Sequence, residues 1–143
     1  MRNVLLVVVL LFVLLIGGCF AILGAGLDAA DEAIKAEEAN DKPKEVAEGK
    51  AFTHDDYAVD AGWTVAKDAT GGVTIKNARV TNDADEGRTA LLTFTFYKGS
   101  ENLAEVECSS NELQAGESSK LDCVSFDSDF PTGYKTIKVA DAF

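Results

Sequence analysis

Arg88-Thr89-Ala90-Leu91-Leu92-Thr93-Phe94-Thr95-Phe96-Tyr97 decides how the rest of the chain is read. Ala90, Leu92, Phe94 and Phe96 fall in one phase of a period-two alternation, and Leu91, Thr93, Thr95 and Tyr97 fall in the other. Successive side chains of a strand point to opposite sides, whereas a helix would scatter these residues around its surface. Threonine and the aromatic residues also suit a pleated surface. The stretch therefore predicts a central strand.

Outward from it in both directions, shorter runs of the same character lie at 57–59, 63–66, 103–108, 121–124 and 136–139. Val73 and Ile75 share one phase while Ala78 and Val80 take the opposite one, which predicts a bulge near Asn77. Turn formers separate the runs: Gly71-Gly72, the segment 82–87, Lys98-Gly99-Ser100, Ala115-Gly116 and Pro131-Thr132-Gly133. About seven short strands in residues 51–143, with no helical pattern between them, predict an all-β domain built as a small antiparallel β-sandwich. Trp63 and the phenylalanines are its expected core.

Three short motifs in this stretch resemble a known family. Val80-Thr81-Asn82, then Phe94-Thr95-Phe96-Tyr97-Lys98, then Leu113-Gln114-Ala115-Gly116-Glu117 look like the succession that marks FxLYD-type domains, immunoglobulin-like modules of bacterial envelope proteins. In that pattern a strand ending Phe-x-Leu-Tyr-Asp is followed by a turn, a second strand and a Leu-x-Pro-Gly-Glu corner. Here Phe96 stands at the leucine position, Lys98 at the aspartate and Ala115 at the proline, and the likeness covers roughly residues 73–126. The resemblance implies an immunoglobulin-like sandwich and an extracytoplasmic address. It implies no catalytic residue, since the matching positions are core and turn positions.

Cys108 and Cys123 lie on two of the expected strands, in alternations where Ala104, Val106 and Leu121 are the core-side residues. The family pattern does not require them. Strands flanking one corner can bring two α-carbons within the usual bridging range of about 4.4–6.8 Å, and small domains outside the cytoplasm use such staples because their cores are thin. A Cys108–Cys123 disulfide is expected, and with it an extracytoplasmic domain. Two buried thiols are the alternative.

The N-terminal segment has a different composition. No charged side chain occurs between Val4 and Leu27, and about 20 apolar residues of helix cross a bilayer core of about 30 Å. The mean hydropathy of +0.03 averages this segment with a charged remainder. An uncleaved membrane helix over 1–27 is the favoured reading. A cleavable secretory signal has an apolar core of about 7–15 residues and a small-x-small exit, whereas this run is longer and contains no Ala-x-Ala near its end. Ile16-Gly17-Gly18-Cys19 resembles a bacterial lipobox, which would make Cys19 a lipidation site and the chain a lipoprotein. Against that, the sequence stays apolar from Phe20 to Leu27. Gly17, Ala21 and Ala25 recur at a spacing of four, a small-residue seam through which two helices could form a weak dimer.

Residues 28–50 form a charged stalk, rich in helix formers up to Asn40. Asp31 with Lys35 and Glu38 with Lys42 are favourable i, i+4 pairs, and Pro43 ends the helix. Lysine and arginine are too evenly placed about the membrane helix to orient it. The cysteine pair decides for a cytoplasmic N-terminus.

Beyond Leu27 the chain carries all 24 acidic residues against 12 of its 13 basic ones. Such a surface repels phosphate backbones and argues against nucleic-acid binding. Catalytic signals are poor. The only histidine, His54, is placed on a polar turn. Serines at 100, 109, 110, 118, 119, 125 and 128 make a Ser-His-Asp set arithmetically available, but no nucleophile-elbow motif supports one. Zinc-protease and phosphate-loop motifs are also missing, so no enzyme, metal or cofactor is expected. Asp55-Asp56, the segment 83–86 and Asp127-Ser128-Asp129 could offer oxygens to calcium, yet none has EF-hand spacing. The favoured reading is a non-catalytic envelope module that binds an unidentified envelope protein or wall component. A sensor responsive to calcium or a small ligand is the alternative.

Overall fold

The computed structural model describes residues 42–142. The expected membrane helix, the helical part of the stalk, Cys19 and the seam of Gly17, Ala21 and Ala25 lie outside the described residues.

The described residues contain eleven strands and no helix. In chain order they are β1 (Lys44–Val46), β2 (Phe52–His54), β3 (Tyr57–Val59), β4 (Thr64–Lys67), β5 (Val73–Lys76), β6 (Arg79–Asn82), β7 (Arg88–Lys98), β8 (Glu101–Leu113), β9 (Ser118–Lys120), β10 (Asp122–Val124) and β11 (Thr136–Asp141). One sheet runs β1-β11-β7-β8-β10, a second β2-β3-β6-β9, and β4 pairs with β5. Every pairing is antiparallel. The arrangement is sandwich-like.

β7 is central, held between β11 and β8, as its two-phase pattern predicts. Its core phase, Ala90, Leu92, Phe94 and Phe96, is fully buried. Val106 and Val139 on the neighbouring strands join it, and Val59, Val73 and Val80 supply the opposite wall of the same core. Trp63 has no exposed surface; its ring lies 5.4 Å from that of Phe94, and Phe52 meets both rings nearly edge-on at 6.0 Å. Its Nε1 donates to the Lys50 carbonyl oxygen at 2.7 Å, so the polar end of the indole is satisfied in the core.

Three features differ from the sequence expectation. Residues 44–50, assigned to the stalk, belong to the folded unit: β1 pairs with β11, and the carboxylate of Glu48 accepts the Val65 amide at 2.8 Å. A three-residue edge strand with Val46 as its one apolar residue leaves no alternation to read. The expected bulge at Asn77 is a strand break. With φ of +61°, Asn77 interrupts the strand at a bend between β5 and β6, which lie in different sheets. Bulges sit instead within β7–β8, where the register shifts between Thr89 and Leu91 and the Ser110 hydroxyl accepts the Ala90 amide at 3.0 Å. Finally, Phe126 is not core but 88% exposed.

Asn82 connects the elements behind these motifs. It is fully buried, and its Nδ2 donates to the carbonyls of Glu86 and Leu113 at 2.7 and 2.9 Å while its Oδ1 accepts the Ala84 amide at 3.0 Å. Its backbone clasps the 114–117 turn on both sides, through Gly116 N to Asn82 O and Asn82 N to Glu117 O. Gly116 takes φ of +74° in that turn, a conformation that favours glycine. Thus the Val80-Thr81-Asn82 and Leu113-to-Glu117 motifs are two halves of one hydrogen-bonded corner, with structural rather than chemical roles.

Candidate functional site

Cys108 and Cys123 are joined by a disulfide. They face each other across the β8–β10 pair, so the bridge ties an edge strand to its neighbour within one sheet. The corner passes through β9 in the other sheet before the chain returns as β10. This direct opposition brings the α-carbons to 4.0 Å, closer than the span expected from the sequence.

His54 is buried at the end of β2, not on a polar turn. The turn lies one residue later, at Asp55-Asp56, where Asp55 takes φ of +49° between the paired residues His54 and Tyr57. His54 Nε2 lies 3.3 Å from Asp141 Oδ1, against a carboxylate rather than a serine hydroxyl, and out of line for a hydrogen bond.

Around this histidine the β2–β3 hairpin, the start of β7 and the end of β11 form a charged corner. Arg88 Nη1 contacts Asp56 Oδ2 at 2.6 Å and Asp55 Oδ2 at 3.5 Å, and its guanidinium carbon stands 5.9 Å from the centre of the Tyr57 ring. The Tyr57 hydroxyl donates to the Thr89 carbonyl oxygen at 2.9 Å. Burial raises the Tyr57 pKa above the ordinary 10.0; Arg88 opposes this, and the neighbouring carboxylates add to it. The corner borders a shallow cleft of about 180 Å³ lined by Asp55, Tyr57, Arg88, Thr89, Leu91 and Asp141. Ligand pockets usually hold about 300–1,000 Å³. The charges here already pair with one another, so the geometry is that of a structural corner.

The remaining acidic clusters also serve the fold. Asp127 Oδ2 accepts the Glu105 amide at 2.7 Å, and Ser125 donates to the Glu105 carbonyl at 2.6 Å, so the chain beyond β10 stays laced to β8. Gly72 sits against this segment so closely that a Cβ there would overlap the Asp127 carbonyl oxygen. Asp68 closes a loop of its own: the Thr70 hydroxyl and the Thr70 and Gly72 amides all donate to its Oδ1, and these bonds lower its pKa, the hydroxyl most. Among the described residues no three His, Cys, Asp or Glu side chains gather as a metal site.

The outer face of the five-stranded sheet carries exposed apolar residues that are not part of the core cluster. Leu91, Val124 and Phe126 are the exposed large apolar residues among those described. The register through Ser109 and Glu107 puts Leu91 and Val124 on this face. Sequence reading missed this grouping because Val124 and Phe126 looked like ordinary strand and core residues. Comparison with protein-family models, curated proteins and solved structures finds no match for the chain.

Proposed function

We propose that this chain is a membrane-anchored protein carrying a non-catalytic, immunoglobulin-like β-sandwich outside the cytoplasm, where it binds another envelope protein or a wall component. The observation that carries the reading is the Cys108–Cys123 disulfide, because such bridges persist in oxidising compartments and are rare in a reducing cytoplasm. The uncharged run from Val4 to Leu27 supplies the anchor. The motifs shared with FxLYD-type domains serve here as core and corner, which fits a scaffold whose work is done on its surface.

The test is differential alkylation of protein taken from native membranes, before and after reduction, followed by peptide mass analysis. Cys108 and Cys123 should label only after reduction. Free thiols on a folded domain would defeat the extracytoplasmic reading. Intact mass that retains residues 1–18 separates the uncleaved anchor from a lipoprotein beginning at an acylated Cys19.

A further inference from the structure

The net charge of the described domain is confined to one part of it. Residues 101–134 carry eight carboxylates and a single cation, Lys120, whereas the rest of residues 42–142 holds ten of each sign. This acidic limb is β8, β9, β10 and the segment that follows. In the same limb lie Phe126, 88% exposed, and Val124, 57% exposed. Val124 pairs with Glu107 across β8–β10, so it stands on the outer sheet face with Glu105, Glu107 and Asp122 around it. Phe126 is presented between Ser125 and Asp127, both bonded to Glu105, which fixes the backbone under an almost wholly solvated ring. A large apolar side chain exposed on a firmly held backbone, in a limb whose charge is almost all of one sign, has the anatomy of an interface anchor.

We propose that the outer face of β8–β10 with Phe126 is a docking surface for a basic protein segment, one that offers an apolar pocket to Phe126 and lysine or arginine to the surrounding carboxylates. The proposal rests on the binding-module reading above and names the partner's chemistry. Charge complementarity selects this occupant. A second copy would set carboxylates against carboxylates, and an anionic membrane would meet Asp127 and Asp129, which follow Phe126 closely in the chain.

The probe is a displayed library of random peptides, panned against the full chain in detergent. Enriched peptides should combine lysine or arginine with apolar residues, lose affinity as salt rises, and bind at least tenfold more weakly to Phe126→Ala and to the triple variant Glu107→Gln, Asp122→Asn, Asp129→Asn. All four residues are solvent-exposed, so both variants should fold, and unchanged circular dichroism checks this. The proposal is overturned if nothing is enriched, if the enriched peptides lack basic residues, or if either variant binds them undiminished. Sedimentation with phosphatidylcholine or phosphatidylglycerol vesicles that depends on Phe126, or self-association that depends on it, also overturns it. These results are separable from the alkylation experiment: bridged cysteines with a charge-blind peptide result defeat the docking surface alone, and free thiols defeat the extracytoplasmic address alone.

Discussion

The five-stranded sheet has two faces made by the same strands and governed by different rules. Inward, Leu92, Phe94, Val106 and Val139 are fully buried, and the Trp63 ring packs against Phe94 at 5.4 Å. Outward, Thr93, Glu105, Glu107 and Val124 alternate with them on the same backbone. The inner face obeys packing, in which any lost volume is felt. The outer face carries carboxylates and exposed apolar groups together. A residue's part in this domain is therefore set more by its phase on the strand than by its chemical type.

The strongest way to break the comparison is Trp63→Ala. It removes the ring that meets both Phe52 and Phe94 and leaves the Lys50 carbonyl oxygen without its donor. A buried tryptophan cut to alanine costs about 3–5 kcal/mol, a large part of the roughly 5–15 kcal/mol available to a domain. Chemical denaturation followed by circular dichroism should show this loss, whereas Phe126→Ala should stay within about 0.5 kcal/mol of the parent.

Removing the bridge comes next, because it separates the edge strand that bears Val124 from the sheet behind it. A loop of 15 residues closed by a disulfide contributes about 3 kcal/mol when the bridge acts through chain entropy, and losses of native bridges run to about 2–5 kcal/mol. Replacing Cys108 and Cys123 by serine should lower the unfolding free energy by a comparable amount, read as a fall in the denaturation midpoint at unchanged slope. Fluorescence of Trp63, the only tryptophan, reports it directly. A reductant should destabilise the parent and leave the double variant unchanged.

The sheet-forming half of this architecture was legible in the sequence because burial on one side writes itself as period two. Phe94 and Phe96 announce β7, and Cys108 keeps phase with Val106 while Cys123 keeps phase with Leu121. What escaped had no such imprint. β1 holds only one apolar residue, Asn82 reads as a turn former although it is fully buried, and His54 looks solvated beside two aspartates until β2 folds against Asp141. At Asn77 the sequence shows a change of phase, which fits a bulge and a change of sheet equally well. The outer-face grouping of Leu91 and Val124 depends on strand pairing, and a single chain of letters does not state which strand lies next to which.

Tyr57 sits at the rim between the two regimes and gives a smaller, pH-dependent test. Its buried ring packs in the core while its hydroxyl donates to Thr89 at 2.9 Å. Burial first, then the carboxylates of Asp55, Asp141 and Asp56, raise its pKa against the pull of Arg88; burial and Glu48 raise that of Tyr134. A raised folded-state pKa means that the neutral phenol stabilises the fold. That contribution is complete below the unfolded value near 10.0 and is lost as pH rises through the folded value. Thermal stability should therefore fall on the alkaline side of pH 10. Tyr57→Phe should cost about 1 kcal/mol at neutral pH through the lost hydrogen bond, and its alkaline decline should be shallower.

The smallest effect should have the opposite sign, and it belongs wholly to the outer face. Residues 101–134 hold eight carboxylates against one lysine, so neutralising Glu107, Asp122 and Asp129 as amides removes mutual repulsion without touching a buried atom. Exposed charges interact weakly, and the gain should be a few tenths of a kcal/mol in low salt. Ions screen such repulsion over about 10 Å at 0.1 M and about 3 Å at 1 M, so the difference from the parent should shrink as salt is added. Paired thermal melts at the two salt concentrations measure it. A variant that is less stable than the parent at low salt would show that these carboxylates support the fold, and the proposed docking role would lose its argument from charge. A salt-sensitive gain would mean that the chain keeps a mildly destabilising set of charges on one face only. Folding supplies no reason to retain such a set, whereas a basic partner would, since it meets those carboxylates only on binding.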